Sequence, residues 1–372
     1  MYKIVHIVRP LGGVGVYVNL LVNHVDDKKF QSILIGNRQD ERFEIRNKSE
    51  KVIPEFHVDL NREINLIEDL RCLFQIIKLL KNIKPDIIHC HSTKAGMLGR
   101  IAGAFLRIPT LYTPNAFSYL SGENKLKRAL FINIERLLRF LPSKIVACSQ
   151  SEYDRAKNDL RFKKHKRYLW SNSIKDVTAL APSKIIATLP KKFICSIGRP
   201  SFQKNIEMLI NVVLQLKKSI EEVHLVVLGV GLYSPTIGRI EKLIKDNDLT
   251  DNVTLVPWLS REETMSILKQ CHIYVSSARY EGLPYSVIEA LALAKPCVVT
   301  NVDGNKDLVI NNYNGFVVES GNAMAMTEVI KSIYDDDEKI KMLTQNARKE
   351  YLNKYNIERN IQQLEKIYLD NL

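Results

Sequence analysis

Short runs of apolar, largely β-branched residues recur along the chain, separated by longer stretches in which apolar positions fall at helical spacing. The first five runs are KIVHIV (residues 3–8), QSILI (31–35), DIIHC (86–90), PTLYT (109–113) and KIVAC (144–148). Nearly continuous apolar runs of this kind suit strands buried on both faces of a parallel sheet. After Pro190 the pattern restarts with FICSIG (193–198), HLVVLG (224–229), NVTLV (252–256), HIYVSS (272–277), PCVVT (296–300) and GFVV (315–318). Strands alternating with helices twice over predict an α/β protein of two doubly wound, Rossmann-like domains. The basic run RFKKHKRY (161–168) gives way to turn-forming residues that include Pro182 and Pro190, which puts the boundary near residues 171–190. The expected domains are residues 1–180 and 190–356. Ile357, Ile361, Leu364 and Ile367 or Tyr368 then fall at helical spacing, so residues 357–372 read as a terminal amphipathic helix.

At 372 residues the chain is long enough for each half to bury its own core. Its 54 Lys and Arg against 41 Asp and Glu give a formal charge of +13, which favours anionic partners. The six cysteines are scattered, with no Cys-x-x-Cys pair, and several sit inside apolar runs, the pattern of small core residues in a reducing compartment. MYKIVHIV already reads as a strand, and no apolar run approaches the ~18 residues that span a bilayer. A cytoplasmic protein is expected. Cations and aromatics are not interleaved as a nucleic-acid stacking surface would need.

Candidate chemistry concentrates after the predicted strands, where open α/β sheets bind ligands. Behind HIYVSS comes SARYEGLPYSVIEALALAKPCVVT, in which Pro284 suits a helix start and Glu281 and Glu289 stand on either side of the strand-to-helix junction. Two carboxylates at different heights can hold two parts of one ligand, and amides at the helix start can receive phosphate. GRPSFQKN follows the first strand of the second half, with Arg199 and Lys204 placed to neutralise a departing diphosphate. RPLGGVGVYV carries Gly12, Gly13 and Gly15, which let backbone approach a phosphate or sugar. A dinucleotide fingerprint would need a further glycine at Val18 and an acidic residue after ILIGN, so a dehydrogenase reading fails twice. In HCHSTKAGMLGRIAG, His89 and His91 are expected on opposite faces of the strand end, which sets aside metal chelation by the pair. The acidic run Asp335 to Asp337 reads as a helix cap rather than a metal site.

Glu281 and Glu289 around GLPYSVI resemble the Glu-x7-Glu signature of the GT-B glycosyltransferases of family four. That resemblance implies two Rossmann-like domains facing across a cleft, with the C-terminal helix returning to the N-terminal domain. It implies a retaining, metal-independent transferase without a cofactor, whose donor is a nucleotide-sugar bound mainly by the second domain. Glu281 would contact sugar hydroxyls and Glu289 the ribose; Gly282, Leu283 and Pro284 would line the donor, and Arg199 and Lys204 would face its diphosphate. The family usually has a glycine where Asn205 stands. Gly13, with Gly12, would approach sugar and phosphate, while Gly229 and Trp258 follow strands where the family meets the base. His-x-His-Ser with Lys-Ala-Gly after it is similar to a subgroup of bacterial polysaccharide transferases, placing His91 near the donor sugar. Asn115, where that subgroup often has histidine, would lie on the acceptor side.

The expected reaction moves a hexose or N-acetylhexosamine from a nucleotide-sugar, UDP-linked by preference, to a saccharide or lipid-linked saccharide acceptor in bacterial polysaccharide or capsule biosynthesis. A nucleotide-sugar epimerase of the same architecture and a non-catalytic nucleotide-sugar or membrane-binding module are the alternatives. Residues 124–142 form a basic amphipathic helix that reads either as a contact for an anionic leaflet, at the inner face of the plasma membrane, or as a surface helix whose apolar side covers the sheet.

Overall fold

The computed structural model describes residues 1–10, 12–37, 44–61, 65–121, 124–180, 189–231 and 234–372, so Pro182 of the expected linker lies outside the described residues. Contacts divide the chain into two compact units, Met1–Asn172 with Ile357–Leu372, and Ser173–Asn356.

In the first unit the order is β1 (Tyr2–Val8), α1 (Gly13–His24), β2 (Phe30–Gly36), β3 (Glu55–His57), α2 (Leu66–Ile83), β4 (Ile87–His91), α3 (Thr93–Leu106), β5 (Thr110–Thr113), α4 (Lys125–Leu138), β6 (Ser143–Ala147), α5 (Gln150–Asn158) and β7 (Arg167–Leu169). The sheet runs β3-β2-β1-β4-β5-β6-β7 with every pairing parallel. The chain builds outward from β1 in one direction and then, from β4, in the other, so the strand order reverses between β1 and β4. Val5, Ile7, Ile33, Ile88 and Ile145, each wholly or almost wholly buried, form the core of this sheet. The edge strands β3 and β7 escape the hydrophobic pattern. Each has three residues, and β7 begins in the basic run, where charge on an edge discourages pairing with other chains.

The second unit repeats the plan with β8 (Ile194–Ile197), α6 (Ile206–Leu216), β9 (Leu225–Val230), α7 (Ile237–Asp246), β10 (Val253–Pro257), α8 (Arg261–Gln270), β11 (Ile273–Ser276), α9 (Tyr285–Ala292), β12 (Cys297–Thr300), α10 (Asn305–Leu308), β13 (Gly315–Val318), α11 (Ala323–Tyr334) and α12 (Asp337–Lys354). Its parallel order β10-β9-β8-β11-β12-β13 reverses between β8 and β11. Asp336 caps α12 by accepting from Lys339 N, which is the use found for the acidic run. Arg348 on α12 forks onto the Asp176 carboxylate, which holds that carboxyl down to about 2.

The last helix, α13 (Ile357–Leu369), belongs to the first unit. Ile357, Ile361, Leu364, Ile367 and Tyr368 form its buried side. Trp170 Nε1 donates to Asn360 O at 2.9 Å, Asp26 N donates to Glu365 Oε1 at 2.8 Å, and the Tyr368 hydroxyl lies 2.9 Å from His89 Nδ1. All six cysteines are free and buried, in keeping with their reading as core residues.

Candidate functional site

In the second unit the point of strand reversal lies between β8 and β11, and the loops leaving these two strands carry the Arg199–Lys204 and Glu281–Pro284 segments. Ligands of doubly wound sheets collect outside strand carboxyl ends at such reversals. The two loops are tied together. Arg279 N donates to Gln203 O at 2.8 Å, Gln203 Nε2 donates to Tyr280 O and to Glu281 Oε2 at 3.2 Å each, and Ser277 Oγ donates to the carbonyls of Lys204 and Asn205 at 2.9 Å each. Lys204 Nζ reaches Glu281 Oε1 at 2.7 Å, so an ammonium and a carboxylate stand side by side with three other residues fixing their height. The Lys204 stem lies over Gly198, where a Cβ would come within 2.9 Å of it. Arg199, on the same loop, is exposed.

Asn205 explains its own departure from the expected glycine. It has φ +51, in the left-handed region that glycine enters freely and that asparagine tolerates better than most side chains. It is the residue before α6, and the turn it makes lets the helix start where the loop needs it.

Glu289 is on α9, where burial pushes its carboxyl up while Arg261, 2.8 Å away on α8, pulls it back. Pro284 stands just before the first residue of α9, which begins at Tyr285, one position later than the predicted helix start, and no side chain caps that end. Leu283 and Pro284 are buried and Gly282 is half-buried. Gly304, which sequence reasoning missed, supports this turn from behind. Its φ is +78, and a Cβ there would meet Gly282 O at 2.6 Å and Pro284 Cδ at 3.0 Å. Gly304→Ala is therefore expected to cost about 2 kcal/mol by combined overpacking and backbone strain. A chemical denaturation midpoint equal to the wild type would show that the turn does not rest on residue 304. Gly229 has φ +94 beside the Gly198–Arg199 backbone, and Trp258 is 69% exposed, so it does not pack between helices.

The matching reversal in the first unit lies between β1 and β4. Gly12, with φ +54, turns the chain into α1, and neither Gly12 nor Gly13 would bring a Cβ within 4 Å of any other atom. The histidines correct the expectation made for them. His89 and His91 are two residues apart on one strand and so share a face. His6 pairs with His89 across β1 and β4, and the three rings gather in one buried cluster. His6 Nδ1 lies 3.1 Å from His91 Nε2, and His89 is held by Tyr368 at Nδ1 and Thr113 Oγ1 at Nε2. Ring nitrogens of all three lie within 4.8 Å of one another, so among the described residues this is a group able to hold a metal ion. An ion would have to take His89 from Tyr368 or Thr113. Burial holds His6 down to about 3 and both other rings well below the usual histidine range, so all three are neutral at pH 7. His91 is wholly buried in this cluster.

Strain collects after β4 and β5. Ser92, Asn115 and Ala116 have φ of +69, +52 and +77, values that non-glycine residues hold only when their surroundings enforce them. The enforcement at Ala116 comes from Glu152, whose two carboxylate oxygens accept from Ala116 N at 2.9 Å and Cys148 N at 2.8 Å. Asn115 Nδ2 is buried without a hydrogen-bond partner.

A family model described as glycosyl transferases group 1 matches residues 182–350, and one described as Glycosyltransferase Family 4 matches residues 11–176. The chain is 27% identical over 326 residues to the Escherichia coli UDP-Gal:alpha-D-GlcNAc-diphosphoundecaprenol alpha-1,3-galactosyltransferase, covering 84% of this chain and 82% of that one. It is 26% identical over 331 residues to the capsular polysaccharide biosynthesis glycosyltransferase CapM of Staphylococcus aureus, covering 84% and 83%. Among solved structures, the Anabaena protein HepE in complex with UDP and glucose superposes with a TM-score of 0.81 at 18% identity, over 100% of both chains. At that identity the likeness speaks for the fold.

Proposed function

Since the chain belongs to family four of the GT-B glycosyltransferases and is a glycosyltransferase, we propose that it moves a hexose or N-acetylhexosamine from a UDP-sugar, with retention, to a lipid-linked glycan acceptor in polysaccharide biosynthesis. The observation that carries this reading is the Lys204–Glu281 pair, held at 2.7 Å where the strand order of the second unit reverses. A sugar diphosphate needs both charges there. Lys204 and the exposed Arg199 take the negative charge that grows on the diphosphate as the glycosidic bond breaks, while Glu281 accepts from sugar hydroxyls. Glu289 accepts from the ribose, with Arg261 at 2.8 Å opposing the upward push of burial on its carboxyl. The amides at the start of α9 add a positive dipole end to the same place.

These cations supply what a divalent ion would supply at the leaving group, so the reading needs no metal there. Gly12 and Gly13 remain the positions for close approach of backbone to the donor, Gly229 and Trp258 the positions beside the base, and Asn115 the acceptor-side position. We give His91 no part in the transfer on this reading, since its ring is wholly buried. No protein nucleophile is assigned: the acceptor hydroxyl attacks on the face from which the diphosphate leaves.

The undecaprenol-linked substrate named for the E. coli relative supports the lipid-linked acceptor. No helix among the described residues is long and apolar enough to cross a membrane, so access to such a lipid would be peripheral. The test is UDP release from a panel of UDP-sugars, with and without a lipid-linked saccharide and with and without EDTA. Acceptor-dependent release that survives EDTA is the expected result. Sugar isomerisation in donor and enzyme alone would favour an epimerase, and absence of both binding and release would overturn the reading.

A further inference from the structure

The helix α4 is attached to the first unit along one side only. Glu135 accepts from Arg100 Nη2 on α3 at 2.8 Å and from the Tyr112 hydroxyl at 3.0 Å, and the only other buried residue of the helix is Leu138. Successive residues turn by about 100°, so Leu126, Leu130 and Leu137 fall within about 40° of one another, and Glu135 points about 180° away from Leu126. Phe131 and Ile132 pack against the core of the unit, and a second apolar row stays off it. This row faces outward, with Leu126 79%, Leu130 54% and Leu137 70% exposed, and Phe140 just beyond the helix 71% exposed.

Charge says what such a side is for. Lys125 and Lys127 stand about 100° to either side of the leucine row. With Arg128 they occupy the start of the helix, where no acidic residue is present in the first turn. Cations there oppose the helix dipole, whose positive end is at that terminus. All three are exposed, and none makes an ion pair among the described residues. An anion outside the protein would relieve this arrangement. The helix α2 offers the contrast: it too exposes Leu66, Ile67, Leu70 and Phe74, but its first turn carries Glu68 and Asp69, the sign its dipole favours.

We propose that α4 docks flat on an anionic lipid bilayer, with Leu126, Leu130, Leu137 and Phe140 at the boundary of headgroups and acyl chains and Lys125 and Lys127 against lipid phosphates. An outward apolar row flanked by cations on both sides is the geometry that lies in a membrane interface. The proposal deepens the reading of a lipid-linked acceptor and rests on it for its purpose, but the docking is measured without turnover.

Co-sedimentation with vesicles of phosphatidylcholine, alone or mixed with phosphatidylglycerol, tests it on the full chain. Binding at least tenfold stronger to the mixed vesicles, and weakened by added salt, is expected. Leu126→Glu with Leu130→Glu, and separately Lys125→Glu with Lys127→Glu, should each reduce it tenfold or more with an unchanged melting temperature. Equal binding to both vesicle types, or equal binding by either double variant, would overturn the proposal. So would a doubled mass in light scattering that Leu126→Glu abolishes, since a second copy would then cover the row. Transfer to a water-soluble acceptor analogue should be the same in wild type and variants. Its absence in the wild type would count against the enzymatic reading and leave the vesicle result standing.

Discussion

Lys204→Ala is expected to slow sugar transfer by about 10²–10³-fold, the usual loss when one group stabilising transition-state charge is removed. Lys204 is the part-buried cation on the β8–α6 loop, and its ammonium is fixed by Glu281 rather than free to wander. In this arrangement little reorganisation is needed when the diphosphate begins to leave. Glu281→Gln should be similarly damaging for a different reason. It leaves the Lys204 ammonium beside a neutral amide and weakens the grip on sugar hydroxyls. Since the damage falls on the transition state, kcat should drop more than KM rises. Turnover within about threefold of wild type in either variant, with a normal melting curve, would remove both residues from the mechanism.

The second large effect is a loss of stability in mild acid. Burial lowers the three clustered histidines, His6 to about 3. An unfolded chain would take up protons on them near pH 6.5, and the folded chain would not. The contribution of His6 is therefore fully present above pH 6.5 and is lost as pH falls from there toward 3, at up to about 1.4 kcal/mol per pH unit, and His89 and His91 act in the same direction. By pH 5 that is about 2 kcal/mol for His6 alone. Asp176, held from 3.8 down to about 2 by Arg348, loses its contribution only as pH falls through that range, so it lies outside the comparison of pH 7 with pH 5. Glu289, pushed up, works in the opposite sense and is a single group. Trp170 is buried in the same unit 5.5 Å from Tyr17, and its fluorescence in a Trp258→Phe background would report unfolding there. A denaturation midpoint that is the same at pH 7 and pH 5 would contradict the sign. His6→Asn should flatten the dependence.

The two-sheet α/β architecture could be read from the apolar runs because buried parallel strands have few alternatives to β-branched residues. Strands β3 and β7 could not, since three residues at a sheet edge need no apolar pattern. The loop positions of Glu281 and Lys204 follow from strand ends that are themselves apolar runs. What sequence reading lacked were partners brought in from a distance. Arg261 reaches Glu289 from another helix, Gln203 couples two loops, and Gly304 is small because a turn more than 20 residues earlier presses on it. The histidine cluster failed differently. The period of two in a strand puts His89 and His91 on one face, and only the register of β1 against β4 adds His6. Ala116 carried no sequence sign of strain, because its backbone N–H is held by Glu152, whose buried carboxylate belongs to α5, distant in sequence.

The assignment of residues 357–372 to the first unit has a consequence for how the protein is made. Domains emerging from a ribosome usually fold in order, the amino-terminal one first. Here α13, which follows the whole second unit in the chain, supplies Tyr368 to His89, Asn360 to Trp170 and Glu365 to Asp26. The second unit has all its residues before the first does. Until residues 357–372 have been made, the nascent first unit must wait with the docking surface for α13 uncovered, a period in which holdase chaperones would find apolar surface to bind.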